Sequence, residues 1–478
     1  MGIPEKLFYR EQVIQNPNIK RYVKNVDAQD STTFNDGSRV RIEVPSPNDA
    51  VLDNLESSLA FTFTNTSGAS ERLDGSVYSI FEWIKEYSTT QGNEHSRSEY
   101  YRIVANAMLD ISLKPAIRGG ALGWLLGCEA FAYGLSHWAA ISTGASYANV
   151  NFSSGSITPS NVDTSRVLLC VPNRRGYLFV KGEDKRFEIP LLHQMLGGGG
   201  AKPIPCFALQ NRPIVLEFLL ASAANACICA TAGTPDYTIS DVAFKAVYIE
   251  MDGGVIAEVM QASGGKIQWI TDGIDCFVSP ITTSQTSALI QIPNTYMSLK
   301  RVYVAFTPQN HEEDVDEATN TNRSWEYLKY AQLQVENRLY PYQQHTIYKA
   351  NASTSLTTDI YAMQWEGLAE LLKGSGGLMN TDLETCINPD DFAQRTATGT
   401  FADLYGTAPN GAFLYCIEPH ACDTSDFAYS GVSTIGAKSW VKLTFAAAPS
   451  EALNCWIMLC HQKFNYVDET GMLITKSG

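Results

Sequence analysis

Charge is scarce in this 478-residue sequence, and positive charge is scarcer than negative charge. Charged residues make up 18% of the chain, with 35 Lys and Arg against 50 Asp and Glu, for a formal net charge of −15. An acidic chain repels a phosphate backbone, so we expect no broad nucleic-acid-binding face and no recognition of a specific nucleic-acid sequence. Apolar residues reach 45%, which excludes a disordered chain.

Long hydrophobic runs without charge are also missing. The two most apolar stretches, residues 119–142 and 214–230, each carry a glutamate, whereas a transmembrane helix needs about 20 mostly apolar residues. We therefore predict packed protein interior at both stretches. The opening sequence MGIPEKLFYREQ has no apolar signal-peptide core, and Lys6 stands where a myristoylation signal has Ser or Thr. The sequence predicts a protein that stays in the compartment where it is made.

The eleven cysteines form no recognisable framework. Their number is odd, their spacing is irregular, and most lie inside apolar runs. This pattern predicts buried free thiols in a reducing compartment. The cysteines are Cys128, Cys170, Cys206, Cys227, Cys229, Cys276, Cys386, Cys416, Cys422, Cys455 and Cys460.

Motifs for catalysis or cofactor binding are missing as well. The glycine run Gly197–Gly200 lacks the Lys-Ser/Thr pair of a phosphate-binding loop, so it is read as a turn. The segment Gly431–Gly436 places its serine at the wrong spacing for a nucleophile elbow. We predict no catalytic residue and no cofactor, and the chain is not expected to be an enzyme.

Two clusters invite a metal-binding interpretation. Cys416, His420 and Cys422 lie close together, but no second ligand pair completes a tetrahedral zinc site. The acidic segment His311–Glu317 lacks the spacing of an EF-hand loop, and a solvated loop is the default interpretation. We therefore predict no metal site.

Alternation with a period of two residues dominates the chain. In Arg39–Val44 the apolar residues Val40, Ile42 and Val44 share one face. Short alternating strands separated by turn residues are typical of sandwiches and barrels. Further strands are predicted at 59–64, 166–171, 177–180, 214–220, 242–251, 288–292, 300–306, 332–335, 441–445 and 455–460.

Helical spacing is confined to Val77–Ile84, Glu99–Met108 and Trp365–Leu372. These helices are too few and too scattered for βαβ units, so we expect an all-β chain with a few short helices in the loops.

The strands fall into two groups of similar extent. A long strand ending near Asp252 closes the first group, and a similar strand ending near Asp468 closes the second, 216 residues later. We predict an N-terminal basic arm at residues 1–35, followed by domains at 36–252 and 253–478. The arm carries Lys and Arg in excess up to position 26, which suits an anionic partner or a solvated terminal segment.

One stretch is more specific than composition. It contains Phe187–Leu192, then a glycine-rich gap, then Pro203–Leu209, Arg212–Leu220 and the tyrosine-containing strand Asp241–Asp252. This order resembles the first jelly roll of double jelly-roll major capsid proteins, a family of tectivirus-like phages, adenoviruses, virophages, polinton-like viruses and nucleocytoplasmic large DNA viruses. Its members tend to show a strand ending in a Pro-Leu element, then a proline-led segment with Ala-Leu.

The C-terminal region is also similar to this family. Phe427–Gly431 precedes the strand Trp440–Phe445, and Cys455–Cys460 leads to Phe464-Asn465 and then Gly471-Met472. The family's closing strand often carries Tyr-Asn and a Gly-Met a few residues later. Here Phe464 stands in the tyrosine position, and the first element is Pro-Leu-Leu-His rather than Pro-Leu followed by aromatic residues.

The resemblance implies two consecutive eight-stranded jelly-roll sandwiches and a structural function in a virion. It implies homotrimeric capsomers with a pseudo-hexagonal outline, which tile an icosahedral shell around a DNA genome. Partners would be neighbouring capsomers, minor capsid or penton proteins, and an internal membrane or the genome through the basic arm. Long loops at 119–164, 263–287 and 309–323 would form outward towers and subunit contacts.

Two other functions stay open on the residues alone. A jelly-roll carbohydrate-binding protein would use exposed aromatic residues near a loop-bound cation, for which His311–Glu317 and Trp325 are candidates. A β-sandwich glycosidase would need a pair of carboxylates, which a sequence cannot locate.

Overall fold

We describe the protein from a computed structural model. The residues described are 20–89, 93–113, 123, 125–128, 176–192, 195–197, 203–229, 233–264, 266–315, 318–324, 326, 328–344, 347, 413–419, 431–449, 451–468 and 470–476.

The first half of the chain forms two packed antiparallel sheets and a small third sheet. One sheet has the order β1 (Lys20–Asp27), β12 (Tyr237–Glu250), β4 (Ala50–Asn65) and β9 (Asp184–Ile189), and β2 (Thr33–Asn35) extends the line of β1 along β12. The other has the order β3 (Arg39–Val44), β10 (Ile214–Leu220), β6 (Phe81–Ser88) and β7 (Glu94–Glu99). The small sheet has the order β11 (Cys227–Cys229), β5 (Glu71–Leu73) and β8 (Leu178–Phe179).

The second half repeats the two main sheets. One has the order β13 (Gln268–Ile281), β20 (Leu453–Val467), β15 (Leu299–Pro308) and β18 (Tyr415–Ile417), with β21 (Leu473–Lys476) paired to β20. The other has the order β14 (Ser287–Gln291), β19 (Ser439–Phe445), β16 (Leu328–Val335) and β17 (Arg338–Tyr340).

Both halves have the same topology. When the main strands of each half are numbered from one to eight, with β1 and β2 counted as one strand, the sheets have the orders 1-8-3-6 and 2-7-4-5 in both halves. Two facing four-stranded sheets with these crossovers make an eight-stranded jelly roll. The predicted all-β double jelly roll is therefore confirmed.

Strand patterning explains the packing of the sheets. Val40, Ile42 and Val44 of β3 are fully or almost fully buried, as their alternation predicts. Phe61 of β4 meets Phe81 of β6 edge to face at a ring-centroid distance of 6.0 Å, which joins the two sheets of the first jelly roll.

Three α-helices are described: α1 (Tyr101–Ser112), α2 (Ala223–Ala226) and α3 (Gly253–Ala262). The helix predicted at 99–108 corresponds to α1. The helix predicted at Val77–Ile84 is wrong, because a single 3₁₀ turn at Val77–Ile80 leads directly into β6. The helix predicted at residues 365–372 lies outside the described residues.

Helix α1 belongs to both hydrophobic cores. Tyr101, Ala105 and Leu109 pack into the core of the first jelly roll. The opposite side of the helix enters the core of the second jelly roll through Ile103, Val104, Ala107, Met108 and Ile111. The two cores are thus bridged by one twelve-residue helix.

The prediction of a long loop at residues 263–287 is also wrong. Most of this segment is β13, which pairs with β20 along its whole length. Its Gly, Asp and Pro residues suggest a loop, but Pro280 lies in an edge strand, where a missing backbone N–H is tolerated. The loop predicted at 119–164 lies almost entirely outside the described residues.

Candidate functional site

The joint between the two jelly rolls contains a buried polar network, and we treat it as the candidate functional site. Asp74 follows β5. Its carboxylate accepts hydrogen bonds from the backbone N–H groups of Thr319 (2.8 Å) and Asn320 and from the hydroxyl of Thr321 (2.6 Å). Burial raises the pKa of Asp74, and these hydrogen bonds oppose that rise. One carboxylate of the first jelly roll thus holds the segment 319–321 of the second.

Helix α1 supplies a second set of contacts from one face. Arg102, Asn106 and Asp110 are spaced four residues apart, which places them on the same side of a helix, and all three are fully buried. Asp110 pairs with the guanidinium of Arg323, which is also fully buried. A buried charge is tolerated only when it is paired, so each of these ions depends on the other half of the chain.

Arg102 connects three elements. Its Nε donates to Glu82 Oε2 of β6 at 2.8 Å, and its two terminal nitrogens donate to Asn320 Oδ1 at 2.8 Å and to Glu312 Oε1 at 2.9 Å. The other oxygen of Glu312 accepts from Asn454 at 2.9 Å. The network therefore reaches from the first jelly roll into the last strand of the second.

These contacts correct the prediction that residues 309–323 form an outward tower. Residues 319–323 are buried inside the chain, at the joint. His311 is buried and Glu312 is an ion-pair partner, so this part of the acidic cluster at 311–317 is not a solvated loop.

A second contact region joins β7 to the second jelly roll. Ser98 donates to the backbone oxygen of Ile274 at 2.9 Å. His95 lies 2.7 Å from the hydroxyl of Ser88 and 3.1 Å from that of Thr475, measured at its two ring nitrogens. Burial, helped by the nearby charge of Lys463, lowers the pKa of His95 to about 4.

Ser88, His95 and Thr475 are spaced like the nucleophile, base and orienting group of a catalytic triad, but the third residue differs from that of such a triad. The third position carries a hydroxyl, which cannot stabilise an imidazolium ion as a carboxylate does. Ser88 and His95 are 5% and 3% exposed. This arrangement supports a contact between two jelly rolls better than attack on a substrate.

The cysteines that the structure describes are free, and all but Cys460 are buried, as predicted. Cys227 and Cys229 lie in β11, and Cys416 lies in β18 opposite Tyr303. Its predicted neighbours His420 and Cys422 lie outside the described residues, as do Cys170 and Cys386. Within the described part of the chain, no group of three His, Cys, Asp or Glu side chains is placed to hold a metal ion.

The described surface contains an open depression of about 500 Å³, lined by Gln309, Asn310, Glu451 and Ala452. It carries one carboxylate, whereas glycoside hydrolysis uses two. Among the described helices, none is both long and apolar enough to span a membrane.

Sequence reasoning missed the joint. Its partners are more than 200 residues apart, so no local pattern links them. One signal was available, because Arg102, Asn106 and Asp110 form a polar stripe on an otherwise apolar helix.

Three solved structures similar to this chain belong to viral capsids. The chain is similar to the major capsid protein of Faustovirus, with a TM-score of 0.55 and 7% identity over 96% of this chain and 92% of that one. It is similar to the capsid of the virus PBCV-1, with a TM-score of 0.54 and 11% identity over 98% and 100% of the two chains. A chain of the Sputnik virophage gives a TM-score of 0.52 and 10% identity over 100% and 92%. No protein-family model and no curated protein matches the sequence.

Proposed function

We propose that this chain is a viral major capsid protein whose activity is self-assembly into homotrimeric capsomers. The observation that carries the proposal is the repeated strand order, 1-8-3-6 and 2-7-4-5, in two jelly rolls whose strands lie between Lys20 and Lys476. The similar chains of Faustovirus and PBCV-1 cover at least 96% of this chain and belong to viral capsids.

The joint supports assembly in a specific way. Three copies of two similar jelly rolls place six units around a threefold axis, which gives a pseudo-hexagonal outline. Such a plate requires the two units of each chain to keep a fixed relative orientation. The buried pairs at Arg102 and Arg323 and the shared helix α1 provide that fixed orientation.

The remaining parts of the proposal concern location and partners. The protein would reside in the virion, after synthesis in a reducing compartment, the host cytoplasm or a virus factory. The capsomer would contact its neighbours and minor capsid or penton proteins. The basic residues that precede β1, Lys6 and Arg10, would face an internal membrane or the genome. We propose a domain boundary at residue 252. The predicted end of the arm at residue 35 is replaced by residue 19, because β1 and β2 pair with β12 as the first strand of the first jelly roll.

Light scattering of the purified chain tests this proposal. A trimer has a mass of three times 52.5 kDa, 157.5 kDa. The proposal predicts that mass at micromolar concentration, because an obligate trimer interface buries about 2,000 Å² or more. A stable monomer of 52.5 kDa would contradict it.

A further inference from the structure

The first strand of the second jelly roll is covered, whereas the matching strand of the first jelly roll is not. The two strands are matched through the eighth main strand of each unit, β12 and β20. Lys20 pairs with Glu250 and Gln268 pairs with Tyr466, and these two partners are 216 positions apart. By the same offset, Val23 matches Thr271. Val23 is 59% exposed, and Thr271 is 5% exposed.

The cover of β13 comes from the first jelly roll of the same chain. Ser98 on β7, the fifth strand of that jelly roll, donates to the Ile274 backbone oxygen of β13. Trp269 on β13 packs into the core of the first jelly roll and is 5% exposed. This second contact region is therefore a contact between the fifth strand of one unit and the first strand of the next unit.

Among the residues that the structure describes, the opposite ends of this arrangement, β1 and β17, have no such cover. Strand β1 is exposed along almost its whole length, including both Tyr22 and Val23. Strand β17, the fifth strand of the second jelly roll, is exposed or half-buried throughout, and Tyr342 just beyond it is 88% exposed. In contrast, β7 buries His95, Ser96 and Ser98.

We propose that β17 of one copy covers β1 of the next copy, which repeats the intrachain contact between β7 and β13. This inference rests on the proposed trimer and specifies the two surfaces that build it. Three such contacts close a ring in which the fifth strand of every jelly roll meets the first strand of its neighbour. A second copy fits this surface better than a lipid or a nucleic acid, because the chain already uses the matching surfaces of its two halves against each other. Exposed Tyr22 and Val23 on one side and Tyr342 on the other supply apolar area for the contact.

Chemical cross-linking tests which surfaces meet. The double variant Val23→Cys with Tyr342→Cys is treated with a short bismaleimide and run on a denaturing gel. We expect covalent dimers and trimers as the major bands, because each copy presents one engineered thiol to each neighbour. The single variants Val23→Cys and Tyr342→Cys and the unmodified chain are expected to stay monomeric on the gel.

A matched control uses a different exposed valine. Val180 is 56% exposed and lies outside β1, so Val180→Cys with Tyr342→Cys is expected to give no cross-linked band. Trimers by light scattering without cross-links in the first double variant would overturn this inference and leave the proposed function standing. Cross-linking of Val23→Cys alone would also overturn it, because that result means β1 meets β1. A monomeric mass for the unmodified chain would overturn both proposals.

Discussion

The carboxylate of Asp110 on α1 accepts a hydrogen bond from the guanidinium of Arg323, and both side chains are fully buried. The two residues are 213 positions apart and belong to different jelly rolls. The pair thus forms only when both halves of the chain have folded against each other. This ion pair therefore links the two jelly rolls of the chain.

Removing one partner of this pair is expected to destabilise the protein strongly. Asp110→Ala leaves the Arg323 guanidinium buried without its carboxylate, and breaking a buried ion pair costs about 3–5 kcal/mol. Unfolding in urea, followed by tryptophan fluorescence, measures the loss. The double variant Asp110→Leu with Arg323→Met is expected to recover most of it, since an apolar pair leaves no unpaired charge.

The matched control for that experiment is the partly exposed pair of Lys245 and Glu188. Lys245→Ala is expected to change the free energy of unfolding by less than about 1 kcal/mol, because water already solvates both ions. Equal effects of Asp110→Ala and Lys245→Ala would show that the joint is not an energetic link.

Helix α1 predicts that the two jelly rolls unfold together. Ile103 packs into the second core and Leu109 into the first, and truncating either to alanine is expected to cost about 2–5 kcal/mol. Because one helix serves both cores, both variants are expected to shift a single thermal transition downwards. Two calorimetric transitions, one moved by each variant, would contradict this prediction.

Strand β10 offers a direct test of the strand assignment. Phe218 is fully buried and meets Phe81 edge to face at 5.2 Å. Phe218→Asp is expected to abolish soluble trimer, since an unpaired buried charge costs several kcal/mol. Leu289→Asp is the control, because Leu289 is 61% exposed. Normal yields of trimer from Phe218→Asp would mean that β10 is not a core strand.

Acid is expected to weaken the contact region around His95. Its pKa is about 4 in the folded protein and about 6.5 in an unfolded chain, so the unfolded state binds more protons between these values. Stability is therefore lost as the pH falls from 6.5 towards 4, by about 3 kcal/mol from this residue. Urea midpoints at pH 7 and pH 4.5 measure the loss, and His95→Gln is expected to show a smaller difference. An unchanged difference would mean that His95 does not couple protons to folding.

Local patterns were sufficient for about half of the described strands, and they failed at a bulge. Period-two alternation predicted β3 and β10 with their observed ends. The false helix at 77–84 arose because the ladder shifts by one residue between Trp83 and Phe81, opposite Leu219 and Leu220. This bulge turns both Phe81 and Ile84 inwards, and their spacing of three residues imitates a helix.

The joint could not be predicted because its energetics are non-local. The sequence predicts a solvated Glu312, since this residue lies among other acidic residues. In the structure Glu312 accepts a hydrogen bond from Arg102, which lies just after β7. The two residues are 210 positions apart in the sequence. Resemblance to capsid proteins gave the double jelly roll, but the residues that join the two units follow only from their packing.

Electron microscopy of the trimer in negative stain shows the outline of the assembly itself. We expect class averages of a hexagonal plate with six lobes, two for each chain, arranged about a threefold axis. Particles with two lobes, or a compact assembly with twofold symmetry, would contradict the proposal that this chain builds pseudo-hexagonal capsomers.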